Sequence, residues 1–354
     1  MLVLFTCSQD ITSDWLMPFL KDIEVFRFDI DKWRQYDWDF SSNGFAARSP
    51  DGKILTSENA ACMYVRKPMF FEMLDIPAGG SFENWCRNEV ENLWRDMYYR
   101  FHFENRLALV HPPKFELYKH TQMTLAKKYF EVPQWHIVRG KFPKELEEGD
   151  WVAKTLTQVP MGGGKILFVK KVDIARLDPQ FPWFLQRRVE TDSDATVLYV
   201  NGEMFAFELN RADFEGDDYR KTQPFDPNMT WRQFELSPSE RASIDAYMKE
   251  VGLDFGRFDF LRKDGRLIFL ELNPNGQWGW LDPQNKLGIL GFVANEIVKK
   301  AQCLQMKCAK YILRVILCVA VLFAAVFLLF KTVCDSILTA EKIAAITTPT
   351  FTTE

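Results

Sequence analysis

Phe255-Gly256-Arg257-Phe258-Asp259-Phe260-Leu261 and Leu267-Ile268-Phe269-Leu270-Glu271-Leu272-Asn273-Pro274-Asn275-Gly276, joined across Asp264-Gly265, form the stretch that decides the fold. Apolar and polar residues alternate through both runs, the period of strands with one covered and one open face. Asp264-Gly265 marks a hairpin between them. Arg257 and Asp259 share a face of the first strand, and Glu271 and Asn273 share a face of the second. Two acids and an amide on adjacent strands offer hard oxygens to Mg²⁺, which takes its other ligands from water and substrate phosphates. Register decides whether they meet. A two-residue turn pairs Asp259 with Leu270 and sends Glu271 to the opposite face. A three-residue loop, Lys263-Asp264-Gly265, pairs Arg257 with Glu271 and Asp259 with Phe269, so that every polar side chain points one way. The expectation is therefore the three-residue loop, with Gly265 left-handed in a bulged turn. The alternative, an edge hairpin with a solvated acidic face, gives Asn273-Pro274-Asn275-Gly276 no purpose.

Upstream lie groups suited to phosphates. Lys154 ends the apolar strand Trp151-Val152-Ala153, and Gly162-Gly163-Gly164-Lys165 follows soon after. A lysine on a strand beside a glycine-rich loop can hold phosphate charge while the loop's N–H groups close over it. Lys119 opens a helix in the same region. Taken singly, each lysine reads equally well as a surface residue, and the glycine run as a flexible turn.

Three blocks and an anchor follow from the pattern. Residues 1–110 start with an apolar strand at 1–5, carry a second at 61–65, and reach a helix near 84–103, which makes a small α/β unit. Residues 111–190 hold a helix near 116–129, strands at 134–138 and 151–154, and a further strand at 166–170. Residues 191–302 contain hairpins, a helix near 237–251 and a closing helix near 287–300. Asn201-Gly202 between two apolar runs is a strong two-residue hairpin signal. A membrane-spanning helix is expected over 311–333 and a flexible tail over 334–354, Thr-rich from 346 on.

In sequence order these pieces resemble the ATP-grasp superfamily, and within it the peptide maturases that make microviridin-like peptides with ω-ester or ω-amide links (graspetides). The resemblance spans roughly residues 1–300. It is carried by Tyr64-Val65-Arg66-Lys67-Pro68, by His111-Pro112-Pro113 with Lys119, and by Val152-Ala153-Lys154 with its glycine loop. Phe184-Leu185-Gln186, Gly256-Arg257-Phe258-Asp259 and the run from Phe269 through Glu271 and Asn273 to Gln277-Trp278 complete it. The resemblance implies an α+β ATP-grasp fold, two lobes gripping ATP behind an N-terminal pre-ATP-grasp domain. It implies that Lys119, Lys154 and the Gly162, Gly163 and Gly164 loop contact phosphates. It further implies that residues from Gln186 through Arg187 to Val189 give backbone contacts to adenine, and that Asp259, Glu271 and Asn273 hold Mg²⁺. The reaction implied is attack of a carboxylate on the γ-phosphate of ATP, then capture of the acyl phosphate by an amine or hydroxyl. Positioning and charge neutralisation would carry the catalysis. Arg257 is placed to stabilise the transferring phosphoryl group, and Arg220 to hold a substrate carboxylate or a phosphate.

Two departures stand out. The family places an acid where this chain has Arg187, and Asp-x-Arg-Val where it has Asp194-Ala195-Thr196-Val197. Either Arg188, Arg211 or Arg220 replaces the missing cation, or the activity is altered. Three functions are weighed on this basis. The first is a ligase cross-linking side chains of a short precursor peptide, and the second an enzyme adding amino acids to a peptide or protein terminus. The third is a membrane-bound ATP-binding sensor or scaffold without turnover.

Composition narrows the partners. Of 354 residues 47% are apolar, enough for a sizeable core. Lys and Arg number 44 against 48 acids, and this near-neutral balance lacks the basic field of a nucleic-acid binder. Seven scattered cysteines form no CxxC pair and read as reduced thiols. Residues 315–330 contain no polar or charged residue, and 311–330 has the length to span a bilayer core. Lys299, Lys300, Lys307, Lys310 and Arg314 crowd the N-terminal flank, against Lys331 at the other end. The positive-inside bias thus expects a single-pass membrane protein with its catalytic part in the cytoplasm. A homodimer is compatible with all of this.

Overall fold

The computed structural model describes residues 1–68, 80–110, 117–156, 169–214, 216–221 and 230–347. The chain divides into two compact units, Met1–Ala301 and Gln302–Glu354. Among the described residues the strands of the first unit form four sheets, and each sheet draws its strands from one of the three blocks above.

The N-terminal block begins with β1 (Leu2–Thr6), α1 (Ile11–Leu16) and β2 (Val25–Asp29). An antiparallel sheet follows, made of β3 (Asp37–Ser41), β4 (Gly44–Arg48) and β5 (Ile54–Thr56), and then β6 (Cys62–Val65). β1 pairs in parallel with β2 on one side and β6 on the other. A parallel sheet covered on both faces needs continuous apolar runs, and Leu2-Val3-Leu4-Phe5 is buried at every position. α2 (Ser81–Phe103) packs Trp94, Met97, Tyr98 and Phe101 into the same core.

The middle block holds α3 (Lys119–Ala126), β7 (Trp135–Val138), β8 (Trp151–Lys154), β9 (Lys170–Lys171) and β10 (Trp183–Arg187). The strands lie in the antiparallel order β7-β10-β8-β9. The helix is shorter than expected at both ends. Of the strand expected at 166–170, residues 166–168 lie outside the described part.

The third block is a sheet in the order β13-β12-β11-β14-β15, formed by β11 (Ser193–Val200), β12 (Glu203–Asn210), β13 (Arg232–Gln233), β14 (Phe255–Lys263) and β15 (Arg266–Asn273). Asn201 and Gly202 both have positive φ (50° and 95°), as the two-residue hairpin requires. α4 (Pro238–Val251) starts in a Ser237/Glu240 capping box and stops at left-handed Gly252. Its Ile244, Tyr247 and Met248 pack on Val197, Tyr199, Phe258, Phe260, Phe269 and Leu272 of the sheet. With the helix on that face, Asp194, Thr196, Arg257, Asp259, Glu271 and Asn273 fall on the other.

The hairpin differs from the expectation in an instructive way. The turn has two residues: Lys263 pairs with Arg266, and Asp264 and Gly265 take φ of 49° and 75°. The register then shifts inside the strand, with Phe260 opposite Phe269 but Asp259 opposite Glu271 and Arg257 opposite Asn273. Leu270 is the extra residue of a β-bulge, and it restores the parity that the turn alone breaks. The polar residues share a face as required, but with different partners from those expected.

β15 is the sheet edge, and α3 closes it. Gln122, 2% exposed, donates from Nε2 to Leu272 O at 2.9 Å and accepts at Oε1 from Leu272 N at 2.8 Å. A side-chain amide thus replaces a neighbouring strand and fixes the start of α3 beside Glu271. Gln122→Leu strands both buried backbone groups. The expected cost is about 1–3 kcal/mol, visible as a lower urea midpoint with an unchanged slope.

α5 (Ile289–Thr347) buries Ile289, Val293 and Ile297 in the first unit and supplies the described part of the second. The closing helix, the apolar helix and the start of the tail, expected as separate segments, are one helix. Residues 301–348 contain neither Gly nor Pro, so nothing in them stops it; residues 348–354 lie outside the described part. Within it Leu313–Val333 has 21 residues, a mean hydropathy of 2.9 and no burial. Among the described residues it is the one helix long and apolar enough to cross a membrane.

Candidate functional site

The open face of the five-stranded sheet carries the expected acids. Asn273 Nδ2 donates to Asp259 Oδ2 at 2.9 Å and to Glu271 Oε1 at 3.3 Å, so one amide bridges two carboxylates. Arg257 Nη2 donates to the same Asp259 oxygen at 2.8 Å and Nη1 to Gln277 O at 2.9 Å. Lys119 Nζ lies 3.1 Å from Glu271 Oε2. Lys119, Glu271, Asp259 and Asp194 are all close enough to Lys154 for their charges to act on it.

Electrostatics sort these groups. Burial disfavours the charged form of Glu271, but the ammonium groups of Lys119 and Lys154 and hydrogen bonds from Lys119 and Asn273 outweigh it. Its carboxyl is held well below the usual range. Burial raises Asp259, with Arg257 opposing and the Glu271 charge adding to the rise. Burial and the Lys119 charge bring the Lys154 ammonium down to about 8, against the pull of Glu271, Asp259 and Asp194. Opposed shifts among neighbouring groups make this cluster the candidate site.

Among the described residues no group of three or more His, Cys, Asp or Glu side chains is placed to hold a metal ion. Asp259 and Glu271 are two acids, and the third donor is an amide. Turning the Asn273 amide by half a rotation puts its oxygen where the nitrogen stands. Two carboxylates and a carbonyl oxygen suit Mg²⁺ whose remaining ligands are water and phosphate.

The segment after β15 has a role that sequence reasoning missed. Arg66, 0% exposed, donates from Nη1 to Asn275 O (3.3 Å) and Oδ1 (3.2 Å), and from Nη2 to Gln277 Oε1. Its Nη2 also lies 3.4 Å from buried Asp10, and Thr12 donates to Gln277 Oε1 at 3.2 Å. The N-terminal block is thereby stitched to the loop that also holds Arg257. Both partners stood in the quoted motifs, but no local pattern joins residues this far apart. Gly276, in the same loop, leaves room for Asn273 and Arg257. A β-carbon there would meet Asn273 Cβ at 2.9 Å and Arg257 Cβ at 3.2 Å. Gly276→Ala is expected to shift both side chains and cut turnover about tenfold or more, since misplacements of about 1 Å cost up to about a hundredfold. A thermal melt alongside the rate assay separates this from unfolding.

No family model matches the sequence, and no curated protein matches it. Solved structures do. The macrocyclase MdnC of Microcystis aeruginosa MRC, bound with precursor peptide MdnA, superposes with a TM-score of 0.70 at 21% identity, over 84% of this chain and 99% of that one. A Chryseobacterium gregarium RiPP-associated ATP-grasp ligase, in complex with ADP and a leader and core peptide, gives 0.69 at 19% identity, over 86% and 96%. The ATP-grasp ligase PsnB, complexed with minimal precursor, Mg and ADP, gives 0.65 at 15%, over 85% and 98%.

The chain has the ATP-grasp fold.

On this fold the remaining expected residues divide. Gln186 is buried in β10, with its Nε2 3.8 Å from Met123 Sδ. Val189 is half-buried just beyond the strand. Of the backbone contacts expected over 186–189, two donors are already engaged: Arg187 N bonds to Gln134 O and Arg188 N to Asp150 O. The Arg187 side chain bonds to Glu148 O at 2.5 Å and packs over Trp151, so it takes no part in the acid cluster. Arg220 grips buried Asp218 through Nε at 2.8 Å and Nη2 at 2.6 Å, which restricts it as a substrate clamp. Thr196 lies opposite Asp259 and donates to Phe258 O at 2.9 Å. Arg211 Nη2 meets Asp194 at 2.6 Å. Arg211 thus brings a cation to the face on which the resemblance expects an arginine at position 196, and Arg220 is near enough to Glu271 to feel its charge. Gly162, Gly163 and Gly164 lie outside the described residues.

Proposed function

We propose that this ATP-grasp chain is an ATP- and Mg²⁺-dependent ligase that activates a carboxylate and joins it to an amine or hydroxyl, with side chains of a short precursor peptide as substrate. One observation carries the proposal: the bulge at Leu270 gathers Asp259, Glu271 and Asn273 on one face, beside Lys119 and Lys154. A solvated edge hairpin has no use for two half-buried lysines and an amide bridging two acids. The peptides and nucleotides named for the similar structures point the same way.

In the reaction, an oxygen of the substrate carboxylate attacks the γ-phosphorus of ATP. The new O–P bond forms as the bond from that phosphorus to the bridging oxygen breaks, and ADP leaves with the electron pair. An amine or hydroxyl then attacks the acyl carbon, gives up its proton to solvent, and phosphate departs with the C–O pair. Asp259, Glu271 and Asn273 would hold Mg²⁺, which supplies positive charge to the phosphates. Lys119 and Lys154 add two cations, and Arg257, held by Asp259 and Gln277, adds a third at the transferring group. The bond formed, ester or amide, depends on the nucleophile the peptide presents.

The non-catalytic reading draws on Thr196, which supplies a hydroxyl where the family has a guanidinium. Arg211 and Arg220 are the compensating cations in our reading. We further assign Leu313–Val333 to the membrane, because the length, apolar composition and exposure of this helix suit a bilayer core. The lysine-rich flank before it then puts the catalytic part on the cytoplasmic side.

Calorimetric titration of the detergent-solubilised chain with AMPPNP tests the nucleotide site. Binding is expected with Mg²⁺, with a marked loss on chelation and in Lys154→Met. Absence of binding at any Mg²⁺ concentration would remove the ligase reading.

A further inference from the structure

Arg211 and Arg220 both bring positive charge to the site, and their contacts tell them apart. β11 pairs with β14 so that Asp194 faces Leu261, Thr196 faces Asp259 and Leu198 faces Arg257. Directly paired residues share a sheet face, so Asp194 is the diagonal neighbour of Asp259, a step of about 7–8 Å in a sheet. Thr196 stands between them, with its Oγ1 3.4 Å from Asp259 Oδ1. Its hydroxyl donates to Phe258 O, and the side chain is too short to reach further across this face.

Arg211 arrives from the end of β12. Its backbone N bonds to Asp192 O at 3.0 Å, which sets it beside the start of β11. Nη2 then donates to Asp194 Oδ1 at 2.6 Å and Nη1 to Gly216 O at 3.3 Å, while the guanidinium lies over the Phe214 ring at 5.1 Å. Arginine has five N–H donors, and these contacts engage one on each Nη. Among the described residues the buried Nε has no hydrogen-bond partner. The side chain keeps 22% exposure, so it is fixed in direction without being closed off. Arg220, by contrast, spends Nε and Nη2 together on Asp218.

The sheet order β11-β14-β15 makes this placement useful. Lys119 reaches Glu271 on β15, and Arg211 reaches Asp194 on β11. Asp259, on the strand between, therefore has a cation on each flank. A phosphoryl group held by Mg²⁺ over Asp259 and Glu271 spreads charge over several oxygens and gains from fixed donors on both sides. We propose that Arg211, oriented by Asp194, binds an oxygen of the transferring phosphoryl group. The assignment rests on the ligase reading above. The substrate carboxylate is the other oxyanion of that reaction, and the experiment separates the two.

The full chain in detergent is titrated calorimetrically with AMPPNP and with ADP, each with Mg²⁺, as parent, Arg211→Gln and Asp194→Asn/Arg211→Gln. The double variant avoids leaving a buried carboxylate unpaired. In both variants AMPPNP affinity is expected to fall about tenfold or more, the scale of one lost hydrogen bond to a charged group, and ADP affinity by less than about twofold. Equal losses for the two nucleotides overturn the proposal and make Arg211 a structural pin. Unchanged affinities for both also overturn it, and a raised KM for the peptide in that case assigns Arg211 to the carboxylate. If the parent itself binds no AMPPNP, the nucleotide reading fails and takes this proposal with it.

Discussion

Glu271→Gln lowers Mg²⁺-dependent ATP turnover by about a hundredfold or more, the scale of removing one preorganised electrostatic contact at a reacting phosphate. The substitution keeps the shape of the side chain and removes its charge. In the folded chain that charge is favoured by Lys119 and Lys154, which outweigh burial. Without it Lys119, 3.1 Å away, loses its ion-pair partner, and the proposed metal set is reduced to Asp259 and Asn273. The measurement is phosphate release across a Mg²⁺ titration. A displaced Mg²⁺ optimum accompanies the rate loss if Glu271 is a ligand. Full turnover at the parent's Mg²⁺ concentration would sink the metal assignment.

Arg66→Met is the second large effect, and it acts on stability. Arg66 and Asp10 are both essentially without solvent contact, at 0% and 1% side-chain exposure. Removing the guanidinium leaves Asp10 buried with Ser13 alone as partner, takes the Arg66 donor from the Asn275 oxygens and leaves Gln277 Oε1 with Thr12 only. Breaking a buried pair in this way costs about 3–5 kcal/mol. Equilibrium denaturation of the full chain reads that loss. Arg66→Lys is expected to recover little of it, since one ammonium cannot span Asn275, Gln277 and Asp10 together. A loss below about 1 kcal/mol, the level of an exposed ion pair, would show that the stitch between the N-terminal block and the Asn275–Gln277 loop is incidental.

What the sequence disclosed was alternation, turn chemistry and the demand that four polar residues share a face. Strand period and the Asn201-Gly202 and Asp264-Gly265 signals are local, and locally encoded features are what a single sequence shows. The demand on Asp259 and Glu271 was legible, but its solution was not. Parity can be restored in a turn or inside a strand, and nothing about Leu270 distinguishes a bulged leucine from a paired one. Asp264 tolerates left-handed backbone, so the shorter turn was available all along. The long helix was cut in three because its apolar run and lysine-rich flank differ in composition, although neither Gly nor Pro interrupts them. Gln122 bonding to Leu272 and Arg66 bonding to Gln277 join residues far apart in the chain. Such contacts leave no periodic trace, even where the residues themselves stand inside recognisable motifs.

The most direct test of the whole account is intact mass spectrometry of short peptides encoded near this gene, after incubation with the full-length chain, ATP and Mg²⁺. The account predicts loss of one water mass for each bond formed, with one ADP released per bond and neither product in the Glu271→Gln variant. Gain of an amino-acid residue mass would replace cross-linking with amino-acid addition. Unchanged peptides beside tightly bound, unconsumed ATP would contradict the ligase and leave a nucleotide-binding module in its place.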